Sequence, residues 1–205
     1  MLTIMKTAAA QDRGHVGHAE IALKNFGLGP LRVTSLDATF ENVTYDWKEL
    51  KNGRALAIES AGAARATLVV PAASLEMALK ARLTSIQNPR VSLQNGLVRI
   101  TGTRAVPIVG TPLPVLFTGR PTTRGNEIRL EDTTLAIGGA PVPGLVVRTL
   151  LGEINPVFSV DKEGTWPYRV TLTRASAQNE ALSLEAVLTF VPALKKVIGA
   201  AGNSR

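Results

Sequence analysis

The feature of this sequence that most restricts its fold is an alternation of apolar and polar residues from Leu31 to Tyr45. Side chains of a strand point alternately to two faces, so this pattern predicts antiparallel sheet with one buried face. The apolar parity shifts near Ser35 and again near Asn42, and a further shift falls across residues 131–133. A shift would swap the faces of a straight strand, so each one predicts a bulge. Because bulges bend strands, the sheet is expected to be strongly curved.

Shorter alternating runs predict further strands at residues 56–58, 66–70, 90–93, 97–103, 113–118, 168–174 and 182–190. The Gln94-Asn95-Gly96 segment is a strong hairpin signal, and residues 124–126 and 178–180 are typical of turns. Residues 1–25 show little pattern, so this part of the chain is expected to be loosely ordered.

Three segments have helical spacing of apolar residues, with apolar stripes that require a surface to cover. The first helix is predicted over residues 72–87, with a stripe of Leu75, Leu79, Leu83 and Ile86. The second is predicted over residues 145–154, with Val147, Leu150, Leu151 and Ile154 on one side. A third is expected within residues 192–201, where Lys195 and Lys196 face away from the apolar side. With no linker or repeat in the sequence, residues 1–205 are predicted to form one α+β domain.

Composition narrows the classes of function. The chain has no cysteine, which removes a disulfide framework, a thiolate metal site and a cysteine nucleophile. Its formal charge of +7 is diffuse and its aromatic residues are few, so nucleic acid is not expected as a partner. No window approaches the ~20 apolar residues of a spanning helix, and the start is too short for a signal peptide. The chain as written is expected in the cytoplasm, or in the cell envelope if a leader has been removed.

The sequence offers little catalytic chemistry. His15 and His18 are the only histidines and are interpreted as solvated side chains, not as metal ligands. Glu131 and Asp132 are neighbours on a predicted strand and point to opposite faces, which does not make an acid–base pair without a bulge. No catalytic residue, metal site or cofactor is therefore predicted.

Several stretches, in this order, resemble the LmeA-type bacterial phospholipid-binding proteins, a family related to the tubular lipid-binding (TULIP) folds. They are GPLRVTSLDATFENVTYD from Gly29, ATLVVPAASLEMALKARL from Ala66, VSLQNGLVRITGTR from Val91, GNEIRLEDTTLAIGGAPVPGLVVRTLLGEINPVF from Gly125 and YRVTLTRASAQNEALSLEA from Tyr168. The resemblance implies a long, strongly curved antiparallel sheet wrapped around a long amphipathic helix plus a shorter helix. It also implies a lipid held between sheet and helix, with no enzymatic turnover.

The leading hypothesis is therefore non-enzymatic binding or transfer of a phospholipid or another acyl-chain lipid, in a slot between the first helix and the inner face of the sheet. The positions predicted to line this slot are Leu75, Leu79, Leu83, Ile86, Val98, Ile100, Val115, Phe117, Val147, Leu150 and Leu151. Lys195 and Lys196 are predicted to dock on an anionic membrane. Two alternatives stay open: an envelope-associated scaffold or protein-interaction module with a filled core, and a hydrolase acting through Glu131 or Asp132. An apolar slot of ligand size would favour lipid binding over both.

Overall fold

The computed structural model describes residues 3–6 as backbone only, and residues 14–28, 31–46, 58–105, 111–160 and 168–191. These residues form thirteen strands and two short helices. The strands are β1 Thr3–Lys6, β2 His15–Leu28, β3 Leu31–Tyr45, β4 Ile58–Ser60, β5 Ala64–Pro71, β6 Gln87–Gln94, β7 Leu97–Ala105, β8 Pro112–Arg124, β9 Glu127–Ile137, β10 Ala140–Pro141, β11 Phe158–Ser159, β12 Tyr168–Gln178 and β13 Ala181–Phe190. The helices are α1 Ala72–Lys80 and α2 Gly144–Ile154.

The strands form two antiparallel sheets. The first sheet has the order β1-β2-β3-β5-β13-β12, with β4 paired to β3. The second has the order β10-β9-β8-β7-β6, with β11 paired to β9. The hairpin turns of the second sheet meet the edge strand β12 of the first: the Leu172 N–H donates to the Gly125 carbonyl at 2.7 Å, and the Gly96 N–H donates to the Ala177 carbonyl at 2.9 Å. These bonds satisfy backbone groups of an edge that would otherwise be open to pairing.

The buried side chains change from one parity to the other at all three predicted places. Only one of these places coincides with a shift in the pairing register between neighbouring strands. In β3 the buried side chains change parity between Val33 and Ala38 and again between Phe40 and Val43, while the register with β2 stays the same. Asn42 has φ +52° at the second break, a conformation that asparagine tolerates. Between β8 and β9 the register shifts next to Asp132, which has φ +48°. That site is the bulge predicted from the sequence.

The predicted fold was wrong in its central feature. The described residues are mostly antiparallel strands in two sheets, and they contain no long amphipathic helix wrapped by a sheet. The helix predicted over residues 72–87 ends at Lys80, and Gln87 already begins β6. Beyond Lys80 the Arg82 guanidinium donates to the carbonyl oxygens of Pro156 and Val157, at 2.7 and 3.0 Å. One more helix-type bond, from the Leu83 N–H to the Leu79 carbonyl at 2.8 Å, follows the helix, and residues 84–86 are bends that lead into β6. Leu83 and Ile86 of the predicted stripe are buried in this segment.

The N-terminal region also differs from expectation. Residues 15–25 were expected to be loosely ordered, yet they belong to β2, which pairs with β3 along most of its length. The second helix, α2, agrees with the prediction to within one residue. The third predicted helix, over residues 192–201, lies outside the described residues.

Candidate functional site

An apolar cavity of about 340 Å³ lies on the inner face of the first sheet. This volume falls within the range of about 300 to 1,000 Å³ that is typical of small-molecule sites. All the described lining residues come from strands of the first sheet except Val160, which follows β11. They are Ala19, Ile21, Leu23, Phe26, Leu28, Leu36, Ala38, Phe40, Val43, Ile58, Ala66, Leu68, Val160, Tyr168, Val170, Leu172, Leu184, Ala186 and Leu188. Apart from the Tyr168 hydroxyl, every one of these side chains is apolar.

The strand register explains why space remains here. Ala38 of β3 lies opposite Ala66 of β5, and Ala66 lies opposite Ala186 of β13. Residues opposite each other on neighbouring strands share a face, so three alanines form one row across three strands, about 10 Å wide. We call Ala38, Ala66 and Ala186 the alanine row. Larger side chains stand at its two ends, Ile21 on β2 and Leu172 on β12. The small side chains thus form the floor of a trough with taller walls.

The next rows along the strands build those walls. On one side, cross-strand partners place three leucines beside the alanine row: Leu36, Leu68 and Leu184. Towards the other end of the cavity, the Tyr168 ring packs between Phe40 and Phe190, with ring centroids 5.5 Å apart in both pairs. The cavity therefore has an aliphatic wall and an aromatic end.

Comparison with known proteins decides the family. The model of the LmeA-like phospholipid-binding family matches residues 13–187. The chain belongs to this family. Neither the curated proteins nor the solved structures gave a significant match. The resemblance found in the sequence is therefore confirmed, and the match spans β2 to most of β13.

In this family member, the Tyr168 hydroxyl is the one polar group of the described cavity lining. The residue is 9% exposed, and its hydroxyl has no hydrogen-bond partner in the described part of the chain. Burial raises the pKa of Tyr168, because the charged phenolate would lose its hydration. The ring is thus an apolar contact surface at neutral pH, and the described lining residues offer an entering molecule no charged side chain.

The eleven positions predicted to line a lipid slot lie away from this cavity. Ten of them are buried and Leu151 is partly buried, all within or against the hydrophobic core, and none lines the cavity. Leu75 and Leu79 lie on α1, while Leu83 and Ile86 lie in the turn that replaces the rest of the predicted helix. Val98, Ile100, Val115 and Phe117 lie on β7 and β8, and Val147, Leu150 and Leu151 lie on α2. Contact between these residues and lipid stays a prediction.

The sequence did contain a signal for the true cavity, but not one that periodicity could isolate. The cavity depends on small residues at the inward positions of β3, β5 and β13, three segments far apart in sequence. Each alanine alone resembles ordinary core. Only the pairing register places Ala38, Ala66 and Ala186 next to one another.

The other polar candidates lie outside the cavity. Glu131 and Asp132 are exposed at the β9 bulge. The His18 Nε2 lies 3.1 Å from the Glu20 Oε1 on the exposed surface. Among the residues described, no three potential metal-ligating side chains form a group. Lys195 and Lys196 lie outside those residues, so their predicted membrane contact stays a prediction.

Neither α1 nor α2 has the length and apolar character needed to cross a membrane.

Proposed function

We propose that the protein binds a phospholipid without chemical turnover, with acyl chain carbon held in the cavity of the first sheet. The observation that carries this proposal is the lining itself, which joins a ligand-sized volume to a continuous apolar surface. Burial of acyl chain there would contribute about 0.8 kcal/mol per methylene group. Because the described lining offers water a single hydrogen-bonding group, a hydrocarbon chain would displace little ordered water.

The same lining argues for a particular orientation of the lipid. A phosphate inside the cavity would lose its hydration and find no described cationic side chain in exchange, which is strongly unfavourable. We therefore place the headgroup outside the apolar walls. Transfer of the lipid between membranes is a finer proposal, and a donor–acceptor vesicle assay with labelled phospholipid would test it.

The cavity also supports lipid binding over the two alternatives. A scaffold with a filled core would leave no space of this size on the inner face of the sheet. A hydrolase would need an acid, base or nucleophile near its substrate. The described lining offers none beyond the Tyr168 phenol, and burial keeps that phenol protonated.

Extraction and mass spectrometry of purified protein would test the proposal, together with stripping and refilling with defined phospholipids. The variant Ala38→Leu/Ala66→Leu/Ala186→Leu fills the alanine row, and it should retain at most about a tenth of the lipid bound by the wild type. The matched control is Thr67→Leu, which adds a leucine to the opposite, exposed face of β5. It should bind as the wild type does.

Failure of the wild type to retain or take up any phospholipid would contradict the proposal. So would full loading of the filled variant, because the lipid would then occupy another place. Circular dichroism and urea unfolding of each variant show whether a loss of lipid reflects a loss of fold.

A further inference from the structure

The end of the second sheet that lies farthest from β12 carries an exposed apolar surface without carboxylates. In sequence, residues 105–119 and 133–147 contain no charged residue at all. From the described parts of these two stretches we define the apolar tip as residues 112–116 and 138–145. Its function is not accounted for by the cavity, which lies on the first sheet.

Strand pairing brings the two stretches together. Val115 of β8 lies opposite Ile137 of β9, and the Gly138 N–H donates to the Pro114 carbonyl at 2.8 Å. A Cβ atom at Gly138 would lie 3.6 Å from a methyl group of Leu113. Helix α2 then begins at Gly144. The two stretches therefore lie side by side at this end of β8 and β9, next to the start of α2.

This surface is exposed to a degree that packing of the described residues does not explain. Leu145 is 70% exposed and Leu116 is 41% exposed. Prolines 112, 114, 141 and 143 and Ala140 are exposed as well. Exposed apolar residues that cluster at one end of a fold mark an interaction site more often than single exposed residues do.

Two arginines flank the apolar tip. Arg148 is exposed and lies three residues after Leu145, so both side chains occupy the same face of α2. Arg104 lies opposite Leu113 in the β7–β8 pairing, about 10 Å from the strand that leads into Gly138. In addition, α2 starts at the tip with no acidic residue in its first turn and no side-chain cap. Its first N–H groups therefore favour a neighbouring anion.

We propose that the apolar tip docks the protein on an anionic phospholipid bilayer. Leu145 enters the interfacial region between headgroups and acyl chains, while Arg104 and Arg148 contact lipid phosphates. The pattern of apolar residues with basic neighbours and no carboxylate matches an anionic membrane surface better than a mixed-charge protein surface. The docking is separate from the cavity, because no residue of the tip lines it.

The absence of cysteine allows a direct test on the full chain. Leu145→Cys labelled with an environment-sensitive fluorophore should show increased, blue-shifted emission with vesicles of 70% phosphatidylcholine and 30% phosphatidylglycerol. The matched control is Val187→Cys, an exposed apolar position on the outer face of the first sheet, 38% exposed. Its label should not respond.

Vesicle flotation then gives the magnitudes. Leu145→Asp should weaken partitioning at least about tenfold, and Arg148→Glu at least about fivefold, the effect expected from one basic residue near the surface. Val187→Asp should leave flotation unchanged. Binding should fall strongly with pure phosphatidylcholine vesicles and at 1 M salt, because the attraction to phosphates is screened.

Equal responses of the two labels, or flotation unaffected by Leu145→Asp, would overturn the proposal. Absence of wild-type flotation would overturn it as well. If light scattering then showed a dimer that Leu145→Asp abolishes, the tip would bind a second copy of the chain and not a membrane. The filled variant Ala38→Leu/Ala66→Leu/Ala186→Leu should still float. Failure of the cavity proposal and failure of the docking proposal are thus distinguishable.

Discussion

If the alanine row really faces empty space, enlarging one of its members should stabilise the protein. Ala66→Leu adds three carbon atoms, worth up to about 2.4 kcal/mol at about 0.8 kcal/mol per buried methylene. Loss of leucine rotamer freedom opposes this by about 0.5 to 1 kcal/mol. The cavity also leaves part of the new side chain uncovered. We therefore expect the free energy of unfolding of the lipid-free protein to rise by about 1 kcal/mol.

Ala177→Leu is the control for the expected stabilisation by Ala66→Leu. Ala177 lies on β12 and is fully buried, and it does not line the cavity. Its carbonyl accepts a hydrogen bond from Gly96 where the two sheets meet. A leucine in such a packed site should lower the free energy of unfolding by about 1 to 3 kcal/mol. The two alanine-to-leucine variants should thus differ by about 2 to 4 kcal/mol with opposite signs.

Urea denaturation of the stripped proteins would measure both variants, with equal slopes as the check that the unfolded states are comparable. Added phospholipid should raise the midpoint of the wild type, because a ligand that binds only the folded state stabilises it. A loss of 1 to 3 kcal/mol in Ala66→Leu, like that of Ala177→Leu, would refute the reasoning. The inner face would then be filled, as the scaffold hypothesis requires.

Three further predictions concern polar groups. The Asn155 side chain accepts a hydrogen bond from the Leu130 N–H at 2.8 Å and donates one to the Leu130 carbonyl at 3.0 Å. Asn155→Ala should therefore lower the free energy of unfolding in urea by about 1 to 3 kcal/mol. An unchanged urea midpoint would contradict this role. Partial burial raises the pKa of Glu76, but the bond from Lys80 and the other donors outweigh it and the net pKa is lowered from 4.5. The stability from this ionised carboxylate is present above pH 4.5 and is lost as the pH falls through the lower, folded-state pKa. Glu76→Gln should therefore lower stability at pH 7 and flatten the acid limb of the stability–pH curve, and an unchanged limb would argue against it. Tyr168→Phe removes an unpartnered buried hydroxyl and should leave the urea midpoint equal or higher. Because the pKa of Tyr168 is raised in the folded state, the contribution of the protonated phenol to stability is present below pH 10 and is lost as the pH rises through the folded-state pKa. Above pH 10 the phenylalanine variant should therefore unfold less readily than the wild type.

Several parts of the fold follow from local sequence alone. Alternation located most of the strands from β3 to β13, since the two-residue period of a strand is a local property. The turn at Asn95-Gly96 was predictable because both residues adopt positive φ readily, and both do so here. Helix α2 was predictable as well, since its apolar spacing and the following Pro156 agree. The family match likewise required no structure.

The other features depend on tertiary structure, because the contacts that determine them join residues far apart in the sequence. The first predicted helix stops at Lys80, and the segment that follows it is bound to distant parts of the chain. The Arg82 guanidinium there donates to the carbonyls of Pro156 and Val157, more than 70 residues away. The sequence of β2 shows little alternation of apolar and polar residues, and this segment forms a strand by pairing with β3.

The location of the cavity shows the same division. The sequence by itself determined that the protein is aliphatic, rich in one-sided strands and a member of a phospholipid-binding family. It did not determine which inward-facing side chains pack against other residues and which line the cavity. That outcome depends on cross-strand register, which places Ala38, Ala66 and Ala186 in one row while the longer side chains around them form the walls. Small residues leave a cavity only when they coincide in space, and coincidence in space is a property of the folded sheet.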